Sequence, residues 1–216
     1  LSFPEKNIAD IRKDYQQASL DEHMAGDNPL AFFKTWFHHA LKSSVDEVNA
    51  MTLATVDAAG RPHARIVLLK GMDEHGFTFF TNYLSHKGHQ IEENQHVALV
   101  FFWKELERQI RIEGIAEKVT EAESDEYFHS RPENSRLGAW ASPQSQVISE
   151  RTFLEENHEN YRKEFSGNIP RPPHWGGYRV KPDCIEFWQG RANRMHDRIL
   201  FTLNEQGKWD KSRLAP

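Results

Sequence analysis

Residues 65–90 read RIVLLKGMDEHGFTFFTNYLSHKGHQ, and the pattern changes character three times along them. Residues 65–70 are an apolar run with a cation at each end. Residues 77–81 are a second run of β-favouring side chains, and residues 71–76 between the two carry the Gly and Asp of a turn. After Asn82, Ser85-His86-Lys87 opens a helix expected to continue through Glu93. The stretch therefore predicts strand, turn, strand and short helix. A hydroxyl and a lysine at a helix start suit an anion, because unpaired N–H groups and the helix dipole act in the same direction. A single Lys or Arg would read as a solvated charge. Two cations bracketing one apolar strand, ahead of that helix start, favour a phosphorylated ligand.

Working outward, the period of two extends on both sides. Residues 50–56 alternate, Ala58-Ala59-Gly60 turns, and Pro62 enters the strand that leads into Arg65, where a missing N–H is tolerated. Residues 96–103 (HVALVFFW) are nearly all apolar and read as a strand buried on both faces. Residues 108–119 alternate strictly, with Ile110, Ile112, Gly114 and Ala116 on one face. Five strands joined by short turns exclude a parallel sheet, whose crossovers are long. An antiparallel sheet closed into a barrel removes the exposed edges.

Helices flank this block. Asn28-Pro29 caps a helix over residues 30–41, with Leu30, Phe33, Phe37 and Leu41 at helical spacing and Trp36 beside them. Thr120 and Glu123 form a capping box for a helix through His129. A short helical turn follows over 133–140, then a polar helix over 149–165 that packs through Phe153, Leu154, Tyr161 and Phe165. Pro170-Arg171-Pro172-Pro173 reads as a stiff strap. Strands over 178–180, 185–189 and 198–203 and a last hairpin complete the chain. Residues 1–27 read as a loosely attached N-terminal arm, with a short helix possible over 8–15, and residues 28–216 as one domain.

The 216 residues carry a net charge of −5, which argues against a general nucleic-acid binder and leaves any anionic ligand to local clusters of Arg and Lys. One cysteine, Cys184, forms no intrachain disulfide and reads as an inert buried thiol in a reducing compartment. No run is long enough to span a membrane and the first residues lack the apolar core of a signal peptide, so cytoplasm is expected. The histidines lack metal-ligand spacing, and no P-loop, nucleophile elbow or GxGxxG pattern is present. Four polar clusters in aromatic surroundings remain. They are Arg65/Lys70 with Thr81/Ser85/Lys87, then Tyr127/Arg131/Ser135, Gln144/Ser145, and Arg194/His196/Arg198. Cations beside hydroxyls hold a phosphate dianion through charge-assisted bonds. Four such clusters exceed the need of one phosphate and suggest two phosphorylated ligands, or one large one.

The blocks RIVLLK, FFTNYLSHKGHQIEEN, LERQIRIEG, YFHSRPENSRLGAW and EFWQGRANRMHDR, with the terminal RLAP, resemble the pyridoxamine/pyridoxine 5′-phosphate oxidase family. The resemblance runs from about Asn28 to the last residue. It implies a mainly β protein with peripheral helices, an antiparallel split β-barrel homodimer with FMN at the subunit interface. By resemblance, FMN falls to Arg65, Ile66, Val67, Leu68, Leu69 and Lys70, and to Phe80, Thr81, His86 and Lys87. Gln109, Gln144, Ser145, Trp188 and Arg198 complete that set. The substrate phosphate falls to Lys70, Tyr127, Arg131 and Ser135, with Arg194, Met195 and His196 over the ring. Arg12, Lys13, Asp14 and Tyr15 match an N-terminal segment that can cover the site. Two positions depart from the family pattern: His86 stands where Arg is common, and Phe80 where Tyr is common.

The implied reaction oxidises the 4′ carbon of pyridoxamine 5′-phosphate or pyridoxine 5′-phosphate to the aldehyde of pyridoxal 5′-phosphate. Molecular oxygen is the final acceptor and hydrogen peroxide is released. Arg194 and His196 are the expected catalytic pair, and no metal is expected. Two rivals stay open on the sequence: a flavin or B6 carrier on the same barrel, and a flavin reductase using a nicotinamide.

Overall fold

Alternating strands and capped helices follow the sequence patterns closely. The structure, a computed structural model, describes residues 14–216. In chain order they form α1 (Glu22–Ala25), α2 (Pro29–Leu41), β1 (Ala50–Val56), β2 (Pro62–Leu68), β3 (Gly71–Asp73), β4 (Gly76–Asn82) and α3 (His86–Glu93). Next come β5 (His96–Trp103), β6 (Arg108–Lys118), α4 (Glu121–Ser130), α5 (Glu133–Ala141), α6 (Thr152–Phe165), β7 (Trp175–Gln189), β8 (Asp197–Leu203) and β9 (Trp209–Leu214). The strands follow the order β2-β1-β5-β6-β7-β4-β3, with β8 on β7 and β9 on β8. The β1–β2, β1–β5, β3–β4, β4–β7, β7–β8 and β8–β9 ladders are all antiparallel. No helix among the described residues is long and apolar enough to cross a membrane.

Backbone contacts divide the chain into two units. The first holds the described residues up to Val48, residues 101–111 and residues 184–216. Its core is aromatic. Phe32 lies 4.6 Å and Trp36 5.3 Å from the Phe187 ring, and Phe33 lies 5.2 Å from Phe101. Each fully buried phenylalanine contributes roughly 1.5–3 kcal/mol. The buried stripe of α2 is Phe32, Phe33, Trp36 and Ala40, whereas Leu41 is exposed and Phe37 half-buried. The stripe expected from periodicity was thus rotated, because the aromatic partners on β5 and β7 choose the face.

Residues 14–27 are tied into this unit rather than loosely attached. Gln16 and Gln17 N–H donate to Glu107, and Leu20 N–H donates to Asp197. Lys211 donates to the Glu22 and Gly26 carbonyls, and Arg213 to the Glu22 carboxylate and the Leu20 carbonyl. These are mostly backbone groups, which hydropathy does not register. Of the helix considered over 8–15, residues 8–13 lie outside the described residues, and 14–15 are not helical.

The second unit holds residues 49–100 and 112–183. Here β2 ends at Leu68, and its partner is β1, in the register Leu53↔Arg65. Residues 71–73, expected to turn, form β3 and pair with β4, so the tight turn falls at Glu74-His75. Asn28, Ser85 and Thr120 cap α2, α3 and α4 as expected, the last in a complete capping box. Gly88 in α3 has a specific reason: a Cβ there would lie 2.0 Å from the Tyr83 carbonyl oxygen, so only glycine lets the helix start tuck under that turn. Phe128, Leu137, Ile169 and Trp175 form the buried cluster beneath α4 and α5.

Four further expectations are corrected. Strand β5 alternates, with Phe102 exposed on the open face, instead of being buried on both. The two strands expected over 178–189 are one strand, β7: residues 175–180 pair with β4 and 184–189 with β8. Pro182 falls between the stretch paired with β4 and the stretch paired with β8. Cys184 is half-buried, and in α6 Phe153 is exposed while Leu154, Tyr161 and Phe165 are half-buried.

Candidate active site

A cavity of about 680 Å³ opens in the second unit between the end of β2, the end of β4, α4 and α5. Ile66, Val67, Leu68 and Lys70 line one side, and Phe80, Thr81, Asn82 and Lys87 another. Tyr127, Arg131, Ser135, Gln144 and Trp175 close it further. Its cations are its main feature. Lys70, Lys87 and Arg131 make no ion pair with any carboxylate among the described residues.

Lys87 follows the Ser85 cap, so the start of α3 carries it. Its Nζ donates to Thr81 Oγ1 at 3.1 Å, Ser85 Oγ at 3.3 Å and Gln144 Oε1 at 3.0 Å. These are neutral acceptors. Burial, with the Arg65 charge as second cause, pulls the ammonium down to about 8. Arg65 does not line the cavity and donates to the Leu53 carbonyl, Thr55 Oγ1 and Gln90 Oε1. A cationic pair held by neutral oxygens, beside a helix start, is a cradle an anion completes.

Arg131 is the second feature. Its guanidinium lies 4.6 Å from the Trp175 ring and 5.8 Å from Phe128, and Nη1 is buried with no hydrogen-bond partner. A buried charged donor left unpaired is costly, and this atom faces a cavity that could supply an oxygen acceptor. Phe80 and Tyr127 stack at 4.0 Å, and Phe80 and Trp175 at 5.6 Å, so three near-parallel rings form one wall. Phe80 therefore works here through its ring, by holding Tyr127. Trp175 was not anticipated as a site residue. Its only sequence signal is its position between the proline strap and Gly176-Gly177.

The first unit holds the other group. Asn193 and Arg194 both have left-handed backbone, with φ 55° and 62°. Two such residues in succession store strain, a cost that clusters at functional turns. The Arg194 side chain is exposed and makes no hydrogen bond or ion pair among the described residues. His196 Nδ1 accepts from the Arg191 N–H at 3.1 Å, so the neutral ring carries its proton on Nε2. Trp188 packs 4.6 Å from the His196 ring and Tyr15 6.0 Å from it.

Several expected residues stand elsewhere. Leu69 is core, and His86 and Ser145 are exposed and do not line the cavity. Arg198 is committed to Glu186, which it meets at 2.8 Å and 3.2 Å, and to the Ala215 carbonyl. Gln109 is half-buried on β6 and Met195 exposed. Asp14 accepts from Gln16 Nε2, while Arg12 and Lys13 lie outside the described residues.

Residues 37–163 match the family model described as pyridoxamine 5′-phosphate oxidase, and residues 175–216 the one described as the pyridoxine 5′-phosphate oxidase C-terminal dimerisation region. The chain is 58% identical over 210 residues to pyridoxine/pyridoxamine 5′-phosphate oxidase 1 of Ralstonia nicotianae, covering 97% of this chain and 99% of that one. It is 56% identical over 211 residues to the corresponding oxidase of Burkholderia thailandensis, with the same coverage. Among solved structures it is similar to PhzG from Burkholderia lata in complex with tetrahydrophenazine-1-carboxylic acid. That match has a TM-score of 0.85 and 28% identity over 91% of this chain and 98% of that one. A pyridoxamine 5′-phosphate oxidase-related FMN-binding protein from Nostoc punctiforme shares the fold, with a TM-score of 0.71 and 20% identity over 88% and 100% of the two chains. The mainly β, antiparallel split-barrel class expected from the sequence is the one these structures carry. Two family models matched in tandem, and relatives more than half identical along nearly their whole length, place the chain in the pyridoxine/pyridoxamine 5′-phosphate oxidase family of oxidoreductases.

Proposed function

We propose that the protein is an FMN-dependent oxidase converting pyridoxamine 5′-phosphate or pyridoxine 5′-phosphate to pyridoxal 5′-phosphate, in vitamin B6 biosynthesis or salvage. One observation carries the reading. The cavity collects Lys70, Lys87 and Arg131 without a balancing carboxylate among the described residues, and leaves Arg131 Nη1 buried and unpaired. Two anions fit the two ends of that set. Lys87, with Thr81, Ser85 and Gln144 around it and Arg65 behind it, suits the FMN phosphate. Lys70, Tyr127, Arg131 and Ser135 suit the phosphate of the substrate.

When bound, FMN would supply the two-electron acceptor that molecular oxygen restores, with release of hydrogen peroxide. The chain's own residues bind and orient. Arg131 and Lys70 fix the substrate phosphate, remote from the reacting carbon, and the stacked Phe80, Tyr127 and Trp175 rings keep Arg131 in place. Arg194 is free to polarise the substrate ring, and its strained backbone holds the side chain ready. His196, with Nδ1 occupied, presents Nε2–H as a donor and positions the substrate or assists proton transfer. On the amine substrate the balance is one dioxygen and one water consumed per aldehyde, ammonia and peroxide formed. The match of residues 175–216 to a dimerisation region supports a homodimer, in which groups from both chains would hold FMN.

Peroxide release tests this directly. Protein reconstituted with FMN should turn yellow and form peroxide and pyridoxal 5′-phosphate in equal amounts from pyridoxamine 5′-phosphate. Binding of both ligands without peroxide would make the chain a carrier, and a colourless protein that cannot be reconstituted would end the reading.

A further inference from the structure

We infer that Glu107 is a positioning residue: its carboxylate anchors the N-terminal segment by two backbone N–H groups and so holds Tyr15 against Trp188 and His196. The inference rests on the proposed oxidase reading and adds to it a residue that touches no ligand.

Glu107 lies in the turn between β5 and β6 and is 2% exposed. Its φ of 54° is a left-handed value that Gly or Asn adopts at lower cost. A buried carboxylate on a backbone that disfavours it calls for a use of the side chain. That use is visible. Oε2 accepts from Gln16 N–H at 2.9 Å and Gln17 N–H at 3.1 Å. The Glu107 carbonyl in turn accepts from Gly190 N–H at 2.7 Å and Gln189 Nε2 at 3.2 Å. One residue thus joins the N-terminal segment to the exit of β7.

Tyr15 is the residue that this joint places. Its ring meets Trp188 edge-on at 5.7 Å and His196 at 6.0 Å. It lies so close over Gly190 that a Cβ there would stand 2.7 Å from Tyr15 Cγ. The bonds from Glu107 grip the two residues after Tyr15 through their main chain, so they set its register whatever side chains stand at 16 and 17. His196, pinned at Nδ1 by Arg191 and flanked by Trp188 and Tyr15, is left with a single ring orientation.

A double-mutant cycle tests the chain of action. Wild type, Glu107→Ala, Tyr15→Ala and the double variant are assayed for peroxide from pyridoxamine 5′-phosphate, with FMN content and unfolding midpoint measured alongside. Each single change should lower kcat/KM about tenfold with FMN retained, and the double variant should fall no further than the worse single one. Glu107→Gln, which keeps an acceptor oxygen, should recover most of the loss. Effects that multiply, or wild-type kinetics in Glu107→Ala, would overturn the inference. If Glu107→Ala does not fold, amide exchange at residues 16 and 17 decides. It should be slow in wild type and faster in Glu107→Gln, whose amide is the weaker acceptor, and equal rates would overturn the anchor. Activity of the wild type is a separate reading, so loss of the oxidase assignment and loss of the Glu107 role are told apart.

Discussion

The cations that line the cavity of the second unit and the arginines that meet carboxylates in the first are treated in opposite ways. In the second unit Lys70, Lys87 and Arg131 line a cavity and meet only neutral oxygens, aromatic rings or nothing. In the first, Arg198 and Arg111 share the buried Glu186 carboxylate, and Arg213 bridges Glu22 and Asp197. A paired arginine has its field already cancelled and holds structure together. An unpaired, partly buried one keeps its field for something outside the chain. Arg194, also in the first unit, has no side-chain hydrogen bond or ion pair among the described residues and stands on a strained turn. The contrast separates ligand groups from fasteners among residues that look alike in sequence.

Arg194 should give the largest effect if that division holds. Arg194→Ala is expected to lower kcat/KM by about 100- to 1,000-fold with FMN still bound, since the loss is of orientation in the transition state. Unchanged activity would return Arg194 to the exposed surface. Arg131→Ala comes next. Losing a charge-assisted bond worth roughly 1.5–3 kcal/mol should weaken kcat/KM about 10- to 100-fold, mainly through KM. Unphosphorylated pyridoxine should be used poorly by wild type and no worse by the variant. A wild type equally active on both substrates would show that the cavity cations do not read a phosphate.

Most of the fold was legible because its signals are local. The caps at Asn28, Ser85 and Thr120 and the alternation of β6 depend on neighbouring residues alone, and they stand as read. What escaped is settled by partners far along the chain. The rotated stripe of α2 follows from Phe101 and Phe187, and the continuity of β7 through Pro182 from having one ladder on either side of it. The same holds for the site. Lys70, Lys87, Tyr127, Arg131 and Ser135 were named from their chemistry, and the structure gathers them around one cavity. Trp175, the ring under Arg131, and Glu107, in the turn between β5 and β6, act only through long-range contacts and left no local pattern.

Arg198 tests the fastener side. Arg198→Ala leaves the Glu186 carboxylate, 6% exposed, with only the half-exposed Arg111 to balance it. Breaking a buried pair costs about 3–5 kcal/mol, and the remaining arginine and partial solvent access reduce that to roughly 2 kcal/mol. An unfolding midpoint lowered by about 4–8 °C is expected, given about 2–4 °C per kcal/mol in a chain of this size. If the midpoint holds and FMN is lost instead, Arg198 belongs with the ligand groups.

Lys87 carries the smallest effect and the sharpest sign. Burial holds its ammonium at about 8 in the folded protein against an ordinary value of 10.5. Between those two values the unfolded chain binds more protons, so flavin-free protein should gain stability as pH rises from about 8 towards 10.5. Below pH 8 the full cost of the buried charge is present. Lys87 is partly open to solvent, and screening leaves about 1 kcal/mol of that cost. Lys87→Met should therefore raise the midpoint of the flavin-free protein at pH 7 by about 2–4 °C and abolish its upward slope above pH 8. FMN retention should move the other way, falling about tenfold or more with loss of one charge-assisted bond. In wild type, FMN should also be held less tightly as pH rises past 8 and Lys87 discharges, a trend the Met variant lacks. A variant less stable without flavin would mean that Lys87 is a structural group, and the cradle around it part of the fold alone.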